Sequence, residues 1–322
     1  MDDDNGILVI GAGVSGLATA LRLAEAGYAV RVLAAEGSPH TTSDIAAAIW
    51  YPFRSEDSRR ARVWAGETLR WLEDLAAVAP EAGVTLVEGV ALHQAPGPPP
   101  EWRADVASFR AAVAGELAPG MAGGWVFRVP VVRMSVHLAW LAARLAERGV
   151  PIALGRQLEP DGLAAALGDH RAVVNCSGLG ARELVADDSL RPIRGQVVRV
   201  SPGHATRFVQ AADDPRAVTY IIPRPDCTVL GGTTEPGEWS LEPDTAVTEA
   251  ILARCRVLVP ALTAAEVLSV AVGLRPGRPT VRLEAERRDG GLLVHNYGHG
   301  GAGLTLSRGC ASAVLSLIAA AG

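Results

Sequence analysis

A glycine motif near the N-terminus constrains the fold of this chain more than any other segment. Residues 11–16 read Gly-Ala-Gly-Val-Ser-Gly, after an apolar segment at residues 7–10 and before an alanine- and leucine-rich segment that ends at Gly27. This spacing is typical of a strand–turn–helix unit, in which the glycines permit a tight turn, close approach of a pyrophosphate and packing of the helix on the strand. We therefore predict a strand, a helix at residues 14–26, a second strand at residues 28–33 and a bound dinucleotide, which the motif alone does not identify as NAD or FAD.

A second glycine cluster lies near the C-terminus, at residues 298–303, after an apolar segment at residues 292–294. It precedes the last apolar stretch, which we predict to be a helix that begins near Gly303. Backbone N–H groups and the positive end of a helix dipole stabilise nearby negative charge, and such charge gathers on a flavin when it is reduced. An ordinary tight turn between a strand and a helix is the alternative.

An acidic residue about 20 residues after the glycine motif binds ribose hydroxyls in many nucleotide folds. Glu36 stands near this distance, but Ala35 aligns best with the end of the second predicted strand. Glu36 is therefore a candidate either for ribose binding or for a solvated turn.

The composition is that of a globular chain and excludes several classes of function. Of the 322 residues, 49% are hydrophobic and 20% are charged, and the formal net charge of −5 predicts no nucleic-acid surface. All 30 basic residues are arginine, and a chain without lysine forms neither a pyridoxal-phosphate Schiff base nor a P-loop. The four cysteines lack metal-ligand spacing, so we expect no metal site.

The same sequence predicts a cytoplasmic protein with no membrane partner. Its first residues are acidic, whereas a signal peptide begins with basic residues. No apolar stretch reaches about 20 residues without a polar interruption. The scattered cysteines are typical of reduced core residues. The sequence does not decide whether the chain forms a homo-oligomer.

Apolar periodicity extends the prediction along the chain. Residues 59–79 predict an amphipathic helix, Asp244 is predicted to cap a helix that ends before Pro260, and residues 266–274 predict a strand. Short β-rich segments lie between the two glycine clusters, so we predict an α/β fold in which a discontinuous cofactor domain is interleaved with a substrate domain. The predicted boundaries are residues 1–52, 130–190 and 270–322 for the cofactor domain, and residues 53–129 and 191–269 for the substrate domain.

Arg275 follows an apolar segment and directly precedes Pro276. An arginine held beside a proline at the end of a strand suits bidentate carboxylate binding, because its guanidinium is planar, fork-shaped and always charged. A surface salt bridge is the alternative role for such an arginine.

Several motifs together resemble the D-amino-acid oxidase family. The most specific is His-Asn-Tyr-Gly-His-Gly-Gly at residues 295–301, followed by Gly-Leu-Thr at residues 303–305. The other motifs occur in the family's order over nearly the whole chain, at residues 9–17, 41–47, 220–223, 231–233 and 273–276.

The resemblance implies a Rossmann-like FAD-binding domain and an interleaved substrate domain with a mixed β-sheet. It implies hydride transfer from a D-amino acid to FAD, with molecular oxygen as the second substrate and a 2-oxo acid, ammonia and hydrogen peroxide as products. Arg275 and Tyr220 would bind the substrate carboxylate, and the Gly301 carbonyl would accept a hydrogen bond from the substrate amine. The residues expected to contact the cofactor, from the glycine motif and the resemblance together, are Gly11, Ala12, Gly13, Val14, Ser15, Gly16, Ala35, Glu36, Thr42, Ser43, Ala47, Ala48, Ile49, Leu158, Ser177, Gly300, Gly301, Ala302, Gly303, Leu304 and Thr305.

Three positions depart from the family pattern near the substrate. Arg216 stands where the family often has a second tyrosine, Ala302 where it commonly has an aromatic residue, and Tyr51 where mammalian members have glutamine. We expect all three to line the substrate pocket, with a different lid and more space beside the flavin.

The sequence leaves the substrate class open. A D-aspartate oxidase needs a cation for the second carboxylate, which Arg216 could supply, but Thr234 stands where that subfamily carries arginine. Neutral D-amino acids are therefore favoured. A glycine- or sarcosine-type amine oxidase and a non-catalytic dinucleotide-binding module are further alternatives, and Tyr220 with Arg275 argues against both.

Overall fold

The computed structural model describes residues 6–52, 59–95, 97–211 and 218–321. The α-helices are α1 (Val14–Glu25), α2 (Thr42–Ile45), α3 (Arg59–Val78), α4 (Met134–Glu147), α5 (Leu163–Asp169), α6 (Ala181–Leu184), α7 (Thr245–Leu258) and α8 (Gly303–Ala321). The strands are β1 (Ile7–Ile10), β2 (Val30–Leu33), β3 (Val84–His93), β4 (Phe109–Ala111), β5 (Gly123–Val132), β6 (Ile152–Ala153), β7 (Ala172–Asn175), β8 (Arg191–Val200), β9 (Phe208–Ala211), β10 (Thr219–Pro223), β11 (Thr228–Gly231), β12 (Glu235–Pro236), β13 (Val267–Arg288) and β14 (Gly291–His299).

The parallel half of the sheet has the order β14-β7-β1-β2-β6. All four residues of β1 are buried, because helices cover both faces of the strand and successive side chains alternate between them. Ile7 and Val9 pack in the core that contains α1 and α8, whereas Leu8 and Ile10 pack with Leu163 of α5. Burial on both faces therefore explains the continuous apolar sequence of β1.

The other half has the order β4-β5-β3-β9-β10-β11-β8 and is antiparallel except for the β3–β9 pair. Helix α7 covers one face, where Ile251, Leu252 and Cys255 pack with Val198 and Ile221. The opposite face carries the polar side chains of the functional site.

β13 joins the two halves because it pairs with both. Through Gly277 it runs antiparallel to β8, and from Arg282 it runs antiparallel to β14. The predicted strand end at residue 274 is wrong, because Pro276 stays in register with Pro192 and the strand continues. The irregular register after Gly277 falls where the strand changes partner, and prolines are tolerated at such irregularities. One sheet thus runs through both predicted domains, whose boundaries stay a prediction.

The predicted helices are confirmed with small shifts at their ends. α1 and α3 each end one residue earlier than predicted, and β2 begins two residues later. Asp244 caps α7, since its Oδ1 accepts hydrogen bonds from the N–H groups of Ala246 at 2.7 Å and Val247 at 3.1 Å. α8 begins at Gly303 as predicted, but β14 extends to His299 and includes the start of the C-terminal glycine cluster.

By length and composition α8 could cross a membrane. Half of it is buried inside the structure, and the side chains of Leu306, Cys310, Val314 and Ile318, one turn apart, pack in the main core. This is the pattern of a core helix. All four cysteines are buried and none is in a disulfide bond.

His137 of α4 is fully buried. Its ring stacks on Trp140 at a centroid distance of 5.8 Å, and its Nδ1 lies 3.0 Å from the carbonyl oxygen of Ala82. Burial lowers the pKa of His137 to about 4, so the ring is neutral in the folded protein at pH 7.

We predict that His137 makes the free energy of unfolding fall as the pH drops from about 6.5, the ordinary histidine value, toward about 4. In this window the unfolded chain binds the proton and the folded chain does not, which costs up to about 3 kcal/mol at the acid end. His137→Gln removes the titrating ring and should flatten the slope, as measured by denaturant unfolding at a series of pH values. An equal slope in both proteins would contradict this role.

Candidate active site

One cleft of about 990 Å³ lies between the two halves of the sheet. It begins at the carboxyl ends of β1, β2 and β7 and reaches the open face of β8, β9, β10 and β13. Of the residues expected to bind a cofactor, those that line this cleft are Gly11, Ala12, Gly13, Val14, Ser15, Ala35, Glu36, Thr42, Ser43, Ala47, Ala48, Ile49, Leu158, Ser177, Gly300, Gly301, Gly303 and Leu304.

The N-terminal glycine motif turns from β1 into α1 at the wall of the cleft. Gly13 is the N-cap of α1, and the N–H of Val14 donates to Oγ of Ser43 at 3.0 Å. Gly16 lies behind the cleft, where a Cβ atom would be only 1.9 Å from the carbonyl oxygen of Gly11. It therefore permits the helix to pack on the turn, while the start of α1 presents N–H groups and its positive dipole end to the cleft.

Ser177 is held in the wall by Asn175 at the end of β7. Oδ1 of Asn175 accepts hydrogen bonds from the N–H of Ser177 at 3.1 Å and from its hydroxyl at 2.6 Å. Asn175 is fully buried, so its amide is fixed and orients Ser177. Asn175 is not among the residues predicted from the sequence, although a polar residue at the end of a buried strand is a readable signal.

Ala35 and Glu36 are both exposed and line the cleft beyond β2. The Glu36 carboxylate forms no hydrogen bond or ion pair with the part of the chain that the structure describes. It is accessible to a ribose, and the two interpretations from the sequence both stay open.

Asp44 organises the loop that follows β2. Its Oδ2 accepts hydrogen bonds from the N–H of Thr41 at 3.0 Å and from the Thr41 hydroxyl at 2.6 Å, which forms a capping box on α2. The Thr42 hydroxyl donates to the carbonyl oxygen of Leu274 at 3.2 Å, which fastens the loop to β13 beside Arg275. Asp44 was not among the expected site residues, although the Thr-x-x-Asp spacing is a known cap signal.

Gly300 and Gly301 form the wall between the cofactor end and the open sheet face. The N–H of Gly300 donates to the carbonyl oxygen of Pro276 at 2.8 Å. Gly301 lies against Arg275, since a Cβ atom at this glycine would be 3.7 Å from Cδ of the arginine. The C-terminal glycine cluster and the segment of β13 that carries Arg275 are therefore in direct contact.

Asp187 fixes the strand that leads into these glycines. Its Oδ2 accepts hydrogen bonds from the Tyr297 hydroxyl at 2.8 Å and from Nε of Arg278 at 3.0 Å. Burial opposes the charge of Asp187, but the hydrogen bonds from Ser189, Tyr297 and Arg278 outweigh it and hold the pKa well below its usual range. Burial raises the pKa of Tyr297 to about 12, so the phenol remains a donor.

Ala302 and Thr305 were expected to contact the cofactor, but neither is among the residues that line the cleft. Ala302 is 2% exposed and packs in the main core, because the turn that links it to His299 directs its methyl group inward. The Thr305 hydroxyl accepts a hydrogen bond from the N–H of Tyr51 at 3.3 Å and donates to the Tyr51 carbonyl oxygen at 3.2 Å. Thr305 therefore positions the segment that carries Tyr51.

The structure brings Tyr220 and Arg275 together on the open face of the sheet. Nη1 of Arg275 donates to the carbonyl oxygen of Thr233 at 3.1 Å, and the positive charge of the guanidinium acts on the neighbouring Tyr220 hydroxyl. Burial raises the pKa of Tyr220, and the positive charge of Arg275 only partly offsets this. Tyr220 is therefore a neutral phenol beside a cation.

Arg275 forms no ion pair with any residue in the described ranges. Its neighbours differ in this respect, since Arg194 pairs with Glu235 at 2.8 Å and Arg278 pairs with Asp187 at 3.0 Å. A guanidinium held by carbonyl groups and a phenol, without a carboxylate, is suited to bind an anionic ligand from the cleft.

Gly195 and Gly231 make room for these two side chains. A Cβ atom at Gly195 would lie 2.2 Å from Nη1 of Arg275, and one at Gly231 would lie 1.9 Å from Cζ of Tyr220. Glycines inside strands often mark such close approaches. The sequence analysis missed the role of both, because their neighbours are known only once the strands are paired.

Tyr51 lines the cleft as expected. Its ring stacks on Phe127 at a centroid distance of 5.9 Å and meets the edge of Trp102 at 5.5 Å. Burial raises the pKa of Tyr51 to about 12. Thr234 also lines the cleft, whereas Arg216 lies outside the described residues.

The comparisons with known proteins establish the family. Residues 6–317 match the family model described as FAD dependent oxidoreductase, so the chain belongs to this family of FAD-dependent oxidoreductases. A D-amino-acid oxidase of Rubrobacter xylanophilus is 48% identical over 98% of this chain and 96% of its own length. A D-amino-acid oxidase of Streptomyces coelicolor is 44% identical over 97% and 96%, and a human D-aspartate oxidase is 36% identical over 97% and 94%.

Among solved structures, a glycine oxidase from Geobacillus kaustophilus superposes with a TM-score of 0.81. It covers 98% of this chain and 95% of its own, at 21% sequence identity. This likeness confirms the predicted mixed α/β fold with a large mixed sheet.

FAD is the cofactor of this chain, and the cleft fits it. The cleft volume of about 990 Å³ is at the upper end of the range for ligand pockets. The start of α1 offers N–H groups to a pyrophosphate, and the start of α8 lies beside Gly300 and Gly301 where the reacting ring would be held. Within the ranges that the structure describes, no group of three or more His, Cys, Asp or Glu side chains could hold a metal ion.

We predict that Gly195→Ala weakens the binding of small carboxylates by about tenfold or more while FAD stays bound. The added Cβ atom falls 2.2 Å from Nη1 and 2.3 Å from Nη2 of Arg275, so the flexible end of the arginine must move and loses its bidentate geometry. Titration of the flavin absorbance with a carboxylate measures the dissociation constant. Gly168→Ala is the matched control, since a Cβ atom there meets nothing within 4 Å, and equal affinities in both variants would contradict the prediction.

Proposed function

We propose that this chain is an FAD-dependent D-amino-acid oxidase that acts on neutral D-amino acids. The observation that carries the proposal is the contact of Arg275, a guanidinium without a carboxylate partner in the described chain, with Tyr220 on one side and Gly301 on the other. The two most similar relatives named above are D-amino-acid oxidases, which supports the same reaction here.

Arg275 and Tyr220 bind the α-carboxylate of the substrate. The guanidinium donates two parallel hydrogen bonds and the phenol donates a third, and the raised pKa of Tyr220 keeps this proton in place at neutral and moderately alkaline pH. The carbonyl oxygen of Gly301 accepts a hydrogen bond from the substrate amine. These contacts fix two of the four substituents of Cα, so only one enantiomer directs its hydrogen toward the cofactor.

FAD, when bound, supplies the hydride acceptor. The amine is deprotonated and its electron pair assists departure of the hydride, so no side chain is needed as a base for the Cα proton. The chain contributes orientation, which can supply a large part of the rate enhancement, and the start of α8 contributes a positive dipole beside the ring.

The charges along the cleft favour a neutral substrate side chain. In the described part of the cleft wall the basic side chains are those of Arg156, Arg275, Arg278, His40 and His299. Arg156 lies at the end of the cleft beside β2, where its N–H donates to the carbonyl oxygen of Ala34 at 3.1 Å. Arg278 is neutralised by Asp187, and burial lowers the pKa of His299 to about 4. A second carboxylate on the substrate would therefore lack a cation near Arg275 within the described residues, which makes D-aspartate the second candidate.

The proposed function also includes an electron acceptor, a cellular compartment and an oligomeric state. Molecular oxygen is the electron acceptor, and hydrogen peroxide, a 2-oxo acid and ammonia are the products. Four buried cysteines without a disulfide bond support a reducing compartment such as the cytoplasm. A homo-oligomer is compatible with this function.

We predict that Arg275→Ala lowers kcat/KM for D-alanine or D-valine by about 30-fold to 1,000-fold and leaves the FAD content unchanged, because a charge-assisted bidentate contact is lost. Arg275→Lys should restore only part of the rate, since lysine keeps the charge but not the fork. Arg103→Ala, at an exposed arginine, is the control for loss of positive charge.

The measurement is anaerobic bleaching of the flavin by D- and L-amino acids, followed by stopped-flow absorbance. We expect D-amino acids alone to bleach the wild-type flavin, with D-aspartate slower than D-alanine. Near-normal turnover by Arg275→Ala, or bleaching by L-amino acids at a similar rate, would overturn the proposal.

A further inference from the structure

Gln210 of β9 lines the cleft directly opposite Tyr220 in the antiparallel register. Directly opposed residues project from the same face of a sheet, with Cβ atoms about 5 Å apart. Tyr220 is paired on its other side with Gly231, over which its ring leans toward Arg275. Gln210 therefore borders the substrate end of the cleft on the side of Tyr220 away from the carboxylate anchor.

The amide of Gln210 is open to the cleft. The residue is 8% exposed, and neither its carbonyl nor its amino group forms a hydrogen bond with any residue that the structure describes, although neither atom is closed off from solvent. An amide that is closed off from water is normally hydrogen-bonded within the protein. Gln196 illustrates this, since its amide bonds to the N–H and carbonyl of Asp244 and to the Thr248 hydroxyl, each at 2.8 Å.

Gln210 and the carboxylate anchor lie on opposite sides of Tyr220 across the open face of the sheet. β9 and β8 are separated by β10 and β11 in the sheet, so Gln210 and Gly195 lie on strands about 14 Å apart. Arg275 reaches over Gly195 from one side, and the glutamine side chain can extend from the other. Both side chains line the same cleft, so a substrate with its carboxylate at Arg275 would direct its side chain toward Gln210.

We propose that Gln210 binds the substrate side chain and gives the enzyme a preference for D-amino acids whose side chains carry an uncharged hydrogen-bonding group. This inference rests on the proposed function. The amide offers both a donor and an acceptor, which complements a side-chain amide or alcohol. A hydrocarbon of the same size leaves the glutamine unsatisfied, and sites that hydrogen-bond their substrate discriminate strongly against analogues that lack the group.

Two pairs of D-amino acids with side chains of similar size test the proposal in the FAD-loaded enzyme. D-Asparagine is compared with D-leucine, and D-glutamine with D-methionine, by kcat/KM in wild type, Gln210→Leu and Gln210→Met. We expect the polar-to-apolar ratio of kcat/KM to fall by about tenfold in both variants, chiefly through KM. Gln94→Leu, at an exposed glutamine, should leave the ratio unchanged.

A binding measurement separates failure of this proposal from failure of the proposed function. Succinamate and 4-methylpentanoate are the amine-free counterparts of asparagine and leucine, and their dissociation constants follow from changes in flavin absorbance without turnover. We expect Gln210→Leu to lower the preference for succinamate by about tenfold.

The outcomes are distinct. Loss of preference in the variants supports the proposal, whether or not the wild type oxidises D-amino acids. Equal effects on both members of each pair, or no effect on either, would overturn it even if the wild type is a fast D-amino-acid oxidase.

Discussion

The pairing of β13 with two different strands is the constraint on which the site depends. This strand pairs with β8 through Gly277 and continuously with β14 from Arg282, so Arg275, the proposed carboxylate-binding residue, lies beside the junction of the two halves of the sheet. The carbonyl oxygen of Leu274 accepts a hydrogen bond from Thr42, and that of Pro276 accepts one from Gly300. Both loops that border the cofactor are therefore fastened to the residues on either side of Arg275.

This arrangement couples substrate position to cofactor position over very few bonds. Hydride transfer depends steeply on the distance and alignment of the reacting atoms. Here the Arg275 side chain and the backbone contacts to the two cofactor loops belong to three consecutive residues of one strand. A shift of β13 would move the carboxylate anchor and the cofactor loops together, which preserves their relative geometry better than separate supports would.

The parts of the fold that could be predicted from the sequence are those specified by local patterns. The unit from β1 to β2, the cap at Asp244 and the start of α8 follow from glycine spacing, a capping residue and apolar periodicity. The extent of β13 could not be predicted, because Pro276 locally argues for a strand end and only the change of partner explains its tolerance. The functional site shows the same limit, because roles that depend on strand pairing cannot be read from local sequence patterns.

Tyr220 and Arg275 were identified from motifs, whereas Gly195, Gly231 and Asn175 were missed. The functions of these three depend on side chains that approach from other strands. Ala302 shows the opposite case. Its position in the glycine cluster suggested a place in the pocket, whereas the turn before α8 directs its methyl group into the core, and its contact with the cofactor stays a prediction.

The difference between Arg275 and its neighbours shows how the structure separates a binding residue from supporting ones. Arg194 and Arg278 have carboxylate partners in Glu235 and Asp187, so their charges are neutralised within the protein and stabilise the surrounding loops. Among the residues that the structure describes, Arg275 has carbonyl groups and the Tyr220 phenol as neighbours but no carboxylate, and these neighbours orient the guanidinium without neutralising it. An oriented charge that lacks an internal counterion is costly until a ligand supplies one. The free energy recovered when a carboxylate binds is then available to hold the substrate, and this explains why one of three nearby arginines can anchor it.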